Sequence, residues 1–196
     1  MTEINVKEAE RAMELFRQAG ALLKGHFLLT SGRHSDTYLE KSLVLQYPRF
    51  VDELSAMLAE KFAADKIEVV VGPAVGAIVL AHGVARVLGT RAIFTEREGG
   101  RCVLRRGFSL APGERTLVVE DVVTTGGSVR EVIDLVRATG ADLVGVGCLL
   151  DRSGGRTDLG VRTAFLAQIE APSWLPADCP LCAAGVPLTS RGSRHI

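Results

Sequence analysis

Hydrophobic positions change their period along this chain. Ala9, Ala12, Met13, Leu15, Phe16 and Ala19 recur at helical spacing, and Gly20 stops that helix. Asn5-Val6-Lys7-Glu8 ahead of it reads as a capping box, with Glu8 reaching back to the capping residue. A short apolar run, Phe27–Leu29, then meets a turn at Ser31-Gly32-Arg33-His34-Ser35, and Tyr38 and Leu39 fall on the return strand of a hairpin. Pro48 opens a second helix that carries Phe50, Val51, Leu54, Met57, Leu58 and Phe62 on one side.

From Ile67 onward short β-branched runs alternate with helical patterns. Val69-Val70-Val71, Ala92-Ile93-Phe94, Leu117-Val118-Val119, Leu143–Leu150 and Thr163–Ile169 read as strands, and Val75–Leu88 and Ser128–Ala138 as helices. Glu96–Arg106 is charged and Gly-bearing, which predicts an exposed loop running into a return strand. Strands this apolar need cover on both faces. The expectation is therefore an α/β fold with an open, mainly parallel twisted sheet flanked by helices. The Pro-rich tail from Ala171 reads as a surface extension, with Trp174 anchoring it.

Composition narrows the class. The 196 residues are 47% hydrophobic and 23% charged, ordinary for a globular protein and far from a disordered chain. Lys+Arg and Asp+Glu are 23 each, so no basic excess points to nucleic acid, and 5% aromatics makes a poor stacking platform. No apolar run approaches the roughly 20 residues of a membrane helix. Met1–Glu10 lacks the basic start and apolar middle of a signal peptide, so a cytoplasmic location without membrane or nucleic-acid partners is expected.

The chemistry concentrates in Leu117-Val118-Val119-Glu120-Asp121-Val122-Val123-Thr124-Thr125-Gly126-Gly127-Ser128. A buried strand delivers two adjacent carboxylates at its carboxyl end, where ligands bind in open α/β sheets. The Gly-bearing turn that follows opens a helix, and its N–H groups and hydroxyls suit a phosphate. Carboxylates would repel a bare phosphate, but a sugar phosphate satisfies both halves, its hydroxyls donating to Glu120 and Asp121. Acids that merely solvate a helix end beside an ordinary turn are the plainer alternative, and the ordered succession of all these parts disfavours it. Neither a G-x-x-x-x-G-K-[ST] loop nor a G-x-G-x-x-G strand–turn is present.

This segment resembles the ribose-phosphate signature of the phosphoribosyltransferases. Further motifs resemble the orotate phosphoribosyltransferase family: Thr30-Ser31-Gly32-Arg33-His34-Ser35, Gly72-Pro73-Ala74-Val75-Gly76-Ala77, Glu96-Arg97-Glu98-Gly99-Gly100-Arg101 continuing to Arg105-Arg106-Gly107-Phe108, and Leu150-Asp151-Arg152. The similarity runs from about Leu15 to Leu150.

The resemblance implies a type I phosphoribosyltransferase fold in one domain over residues 1–196, with a core of approximately 46–150 and a small hood from 1–45 and 150–196. It implies transfer of the phosphoribosyl group from phosphoribosyl pyrophosphate to orotate, giving orotidine 5′-monophosphate and pyrophosphate. Glu120 and Asp121 would hold the ribose hydroxyls, while Val122, Val123, Thr124, Thr125, Gly126, Gly127 and Ser128 cradle the 5′-phosphate. Gly72, Pro73, Ala74, Val75 and Gly76 would border the pyrophosphate, and Thr124, Arg152, Tyr38 and Leu39 would meet orotate. Arg97 and Arg101 would act on the pyrophosphate from the neighbouring subunit of a homodimer, on a mobile loop that closes over the site. Mg²⁺ is the implied cofactor, held by substrate and water without dedicated protein ligands.

Thr30 stands where many relatives carry lysine, and the loop offers arginines only, which keep charge but cannot act as general acids near neutral pH. A transferase for another base and a ligand-sensing regulator on the same fold remain as alternatives.

Outside these motifs, Cys179-Pro180-Leu181-Cys182 is a lone C-x-x-C with no second ligand pair at suitable spacing. His195 is close in sequence but does not complete a site. Packing or surface cysteines are the favoured reading over a bound metal or a redox dithiol. His82 reads as partly buried and structural, His34 as an exposed turn residue, and Arg101, Arg105 and Arg106 as a group facing an anionic ligand.

Overall fold

Two β-sheets organise the chain, seen in a computed structural model that describes residues 4–29 and 31–191; Thr30 and His195 lie outside them. In chain order the elements are α1 (Val6–Gln18), β1 (Leu22–Leu28), β2 (His34–Leu39), α2 (Ser42–Leu45), α3 (Pro48–Glu60), β3 (Val69–Pro73), α4 (Gly76–Leu88), β4 (Arg91–Glu98) and β5 (Arg101–Leu104), followed by β6 (Arg115–Val123), α5 (Gly127–Ala138), β7 (Asp142–Asp151), β8 (Thr163–Gln168), α6 (Pro180–Ala183) and β9 (Thr189–Ser190). The large sheet has the order β5-β4-β3-β6-β7-β8, parallel throughout except for β5. The small sheet is β2-β1-β9.

The sheet alternation explains why both faces are covered. Val70, Leu117 and Val119 pack with Leu15 and Phe16 of α1, Leu54 and Leu58 of α3, and Leu80 and Val84 of α4. Val69, Val71 and Val118 point the other way, against Val129, Val132, Ile133 and Val136 of α5. Each such fully buried side chain contributes about 1.5–3 kcal/mol, so the central strands are fixed before any polar contact is considered.

The chain runs outward from β3 through β4 to β5, then returns beside β3 with β6 and runs the opposite way. The switch point between β3 and β6 is where a crevice forms in such sheets. It lies at the Gly72-Pro73 end of β3 and the Glu120–Ser128 end of β6.

Several sequence expectations change here. Asn5 caps α1 through the Lys7 and Glu8 N–H groups, but Glu8 pairs with Lys61 at 2.6 Å and does not reach back. The return strand expected in Glu96–Arg106 is present as β5, but the loop before it shrinks to a turn at Gly99-Gly100, because β4 continues to Glu98, opposite Arg101. Residues 150–196 do not act as one unit, since β8 extends the large sheet while β9 pairs with β1. Trp174 does anchor the tail, exchanging two backbone hydrogen bonds with His34 at 2.9 Å each. Among the described residues no helix is long and apolar enough to cross a membrane.

Candidate active site

Glu120 and Asp121 are neighbours on β6 and so point to opposite faces. Both are buried, at 7% and 1% exposure. Glu120 Oε1 accepts the Asp121 N–H at 3.1 Å and faces an open cleft of about 930 Å³. Asp121 Oδ1 accepts the Val122 N–H at 2.7 Å and the Lys41 ammonium at 2.8 Å, whereas Oδ2 has no partner. Gly76, the first residue of α4, lies so near that a Cβ there would stand 2.2 Å from Asp121 Oδ2, and only glycine fits.

Burial, and then the neighbouring Asp121 charge, push the Glu120 carboxyl up to about 8. Burial works to lower the Lys41 pKa, but the charge and hydrogen bond of Asp121, with Glu120 beyond, outweigh it and hold the ammonium above its ordinary value. Lys41 is thus the cation that lets two adjacent acids share a buried corner. Sequence reading missed it: the residue follows Tyr38-Leu39-Glu40 with no motif, and its partner is 80 positions away.

The turn after β6 is built as an anion cup. Gly126 caps α5 with φ 77°, and a Cβ there would meet Thr157 Cγ2 at 2.8 Å and Leu159 Cδ2 at 2.9 Å. The Thr124 and Thr125 carbonyls accept hydrogen bonds from Thr157 Oγ1 at 3.1 Å and Arg130 Nη1 at 2.7 Å. The first N–H groups of α5 have no intrahelical acceptor and carry the positive end of the helix dipole. Thr124, Thr125, Gly126, Gly127 and Ser128 all line the cleft, as do Val122 and Val123.

Across the cleft stand Tyr38, Leu39 and Arg152. The corner carrying Arg152 is shaped by buried Asp151, which accepts the Ser153 N–H at 2.7 Å and the Gly155 N–H at 2.8 Å. Burial lowers the Arg152 pKa from its ordinary value, leaving a half-sheltered guanidinium facing the cleft. Arg97 lines the same chain's cleft, held by Glu131 of α5 at 2.8 Å.

Other sequence-derived residues are not assembled there. Arg101 and Gly72, Pro73, Ala74 and Val75 do not line the cleft; Val75 is 82% exposed, and the loop reaches the site only through Gly76 beside Asp121. Arg105 and Arg106 lie just past β5 and pair with Glu98 and Glu96, the latter at 2.9 Å, so these two are solvated and ion-paired instead of facing the cleft. His82 is exposed, and His34 is buried against His26 and the C-x-x-C cysteines. The second ligand pair that the C-x-x-C lacked in sequence is therefore present in space.

Residues 42–160 match the family model described as the phosphoribosyl transferase domain. An orotate phosphoribosyltransferase of Pelotomaculum thermopropionicum is 54% identical over 187 residues, covering 95% of this chain and 98% of its own length. One from Caldanaerobacter subterraneus is 50% identical over 189 residues, covering 96% of this chain and 100% of its own. The crystal structure of orotate phosphoribosyltransferase from Aeropyrum pernix superposes with a TM-score of 0.65 at 27% identity, over 80% of this chain and 93% of that one. With the acid pair, the anion cup and the switch-point cleft in place, these likenesses identify the chain as a member of the phosphoribosyl transferase domain family, among the orotate phosphoribosyltransferases.

Proposed function

We propose that this chain transfers the 5-phosphoribosyl group from phosphoribosyl pyrophosphate to orotate, releasing pyrophosphate and orotidine 5′-monophosphate. The observation that carries the reading is one cleft holding three complementary features: an anion cup at Thr124–Ser128, a carboxyl at Glu120 and a sheltered guanidinium at Arg152.

The 5′-phosphate takes the N–H groups and hydroxyls of residues 124–128. Ribose hydroxyls donate to Glu120, and that hydrogen bonding favours its ionised form. Arg152 pairs bidentately with the orotate carboxylate, with Tyr38 and Leu39 beside the ring. The orotate ring nitrogen forms the new bond to the anomeric carbon as the carbon–oxygen bond breaks, and pyrophosphate leaves with that electron pair. Positive charge gathers on the sugar near the Glu120 carboxylate, and Arg97 meets the departing anion.

Mg²⁺ bound with the donor supplies charge neutralisation on the pyrophosphate. Of the acid pair only Glu120 lines the cleft, so its hard carboxylate oxygen is the donor that would face the ion through a ribose hydroxyl or water, while Asp121 stays buried against Gly76 and Lys41. A homodimer belongs to the same reading. Val75, Val79 and Val87 at and along α4 are exposed apolar positions, and Arg101 is free to serve a partner's cleft. We place this reaction in the cytoplasm.

The test follows orotate absorbance with purified protein, phosphoribosyl pyrophosphate and Mg²⁺. Orotate loss that needs all three components is expected. Turnover of adenine with orotate untouched would replace this reading by another base transferase.

A further inference from the structure

The mechanism leaves unused a cluster of four side chains behind the cleft. His26 stands in the bulge of β1, His34 opens β2, and Cys179 and Cys182 flank the start of α6. One ligand atom from each lies within 4.8 Å of all the others. His26, His34 and Cys179 are 2%, 5% and 3% exposed, while Cys182 is open to solvent.

The spacing matches a tetrahedral ion. With Zn–S of about 2.3 Å and Zn–N of about 2.0–2.1 Å, tetrahedral S···N edges are about 3.6 Å and the N···N edge about 3.3 Å. The cluster has Sγ···Nε2 separations from Cys179 and Cys182 to His26 of 3.5 and 3.7 Å. Cys182 Sγ to His34 Nδ1 is 3.2 Å, and His26 Nε2 to His34 Nδ1 is 3.0 Å.

The outer contacts agree. His26 Nδ1 lies 2.7 Å from the Val186 carbonyl, which only accepts, so this nitrogen donates and a neutral ring turns the Nε2 lone pair inward. A histidine that donates its second nitrogen to a backbone carbonyl is the usual outer support of a metal ligand.

We propose that His26, His34, Cys179 and Cys182 bind one zinc ion, which fastens the C-terminal segment to the β1–β2 hairpin. Two sulfurs and two imidazoles in tetrahedral disposition suit zinc and not a hard cation such as Mg²⁺. On binding, each thiol releases its proton to solvent, and two thiolates cancel the ion's charge, so the closed site is neutral in its sheltered position. All four positions are filled by protein, which makes the site structural. Its mechanical consequence follows from what it joins. Leu28, Leu29 and Ser31 of the hairpin and Ser173 of the tail line the cleft, and Arg33 Nε already donates to Ser173 Oγ at 2.9 Å. Zinc would hold that wall from behind, whichever base the cleft accepts.

The test is elemental analysis of full-length protein purified in reducing buffer from zinc-supplemented cells, with Co²⁺ added to chelator-treated protein as the probe. One zinc per chain is expected, with visible bands of tetrahedral Co²⁺ and near-ultraviolet thiolate-to-cobalt absorption. Cys179→Ser and Cys182→Ser should each lose the metal while Cys102→Ser keeps it. Chelation should expose two further thiols to a thiol reagent and lower the melting midpoint by about 5 °C or more. Should the serine variants fail to fold, the wild-type stoichiometry and Co²⁺ spectrum still decide. Metal-free reduced protein with no Co²⁺ spectrum, or a Cys179–Cys182 disulfide in protein kept under reductant, would overturn the proposal.

Discussion

Replacing Lys41 with methionine keeps the aliphatic stem and removes the cation that faces Asp121 at 2.8 Å. Asp121 is then a carboxylate with 1% exposure next to Glu120, and no other ion pair to it is formed among the described residues. Removing one partner of a fully buried pair costs about 3–5 kcal/mol, whereas exposed pairs are worth about 0.2–1 kcal/mol. The Lys41 side chain is 41% exposed, so water screens its end of the pair and the cost falls between the two ranges. We expect Lys41→Met to lose about 1–2 kcal/mol near pH 8, and Asp121→Asn in the same background to recover most of it. The penalty should be smaller at pH 6 than at pH 9. Below the raised pKa of about 8, Glu120 carries a proton and adds no second charge beside Asp121. Urea midpoints of wild type, both single variants and the double variant measure the coupling directly. Effects that add within about 0.5 kcal/mol would refute the claim that Lys41 neutralises the acid corner.

Three other outcomes follow from the same geometry. Arg152→Ala should raise the Michaelis constant for orotate about 10–100-fold with the donor constant nearly unchanged, in steady-state kinetics, because a bidentate charged pair is lost. Gly126→Ala forces a residue with a Cβ into φ 77° against Thr157 and Leu159; thermal melts and ribose 5-phosphate titrations should show a loss of about 2 kcal/mol in stability and weaker phosphate binding. Glu120 sits above its ordinary pKa, so its share of stability is complete below the ordinary carboxyl range and is lost as pH rises through about 8. Wild type should therefore lose stability relative to Glu120→Gln between about pH 5 and pH 8, at most about 1.4 kcal/mol per pH unit in urea titrations.

What could be read from the chain is what the chain writes locally. Leu117–Ser128 is contiguous, so strand, acids, glycine turn and helix start are all visible in a dozen letters; α5 starts one residue before expectation, while β6 carries on four residues past Val119 to Val123. The parallel sheet was legible because Val69-Val70-Val71 and Leu117-Val118-Val119 leave no polar face. The return strand β5 was legible, but the length of the loop before it was not, because the end of β4 is charged; Gly99-Gly100 between paired Glu98 and Arg101 was the available signal. Lys41 and the histidine–cysteine cluster were illegible for another reason. Their partners are 80 and about 150 positions away, and it takes the two-residue β9 and the Trp174–His34 bridge to bring the tail onto the hairpin. His195 drew attention through sequence proximity, while the histidines that meet the cysteines are 26 and 34.

On the proposed reading, the cleft at the carboxyl end of β6 grips a phosphorylated pentose by its phosphate and by a ring hydroxyl. A crystal structure of the protein with ribose 5-phosphate addresses it most directly. The phosphate should lie within hydrogen-bond distance of the N–H groups of residues 125–128, with a ring hydroxyl on Glu120. A sugar phosphate bound elsewhere, with the Thr124–Ser128 cup empty at saturating ligand, would contradict it.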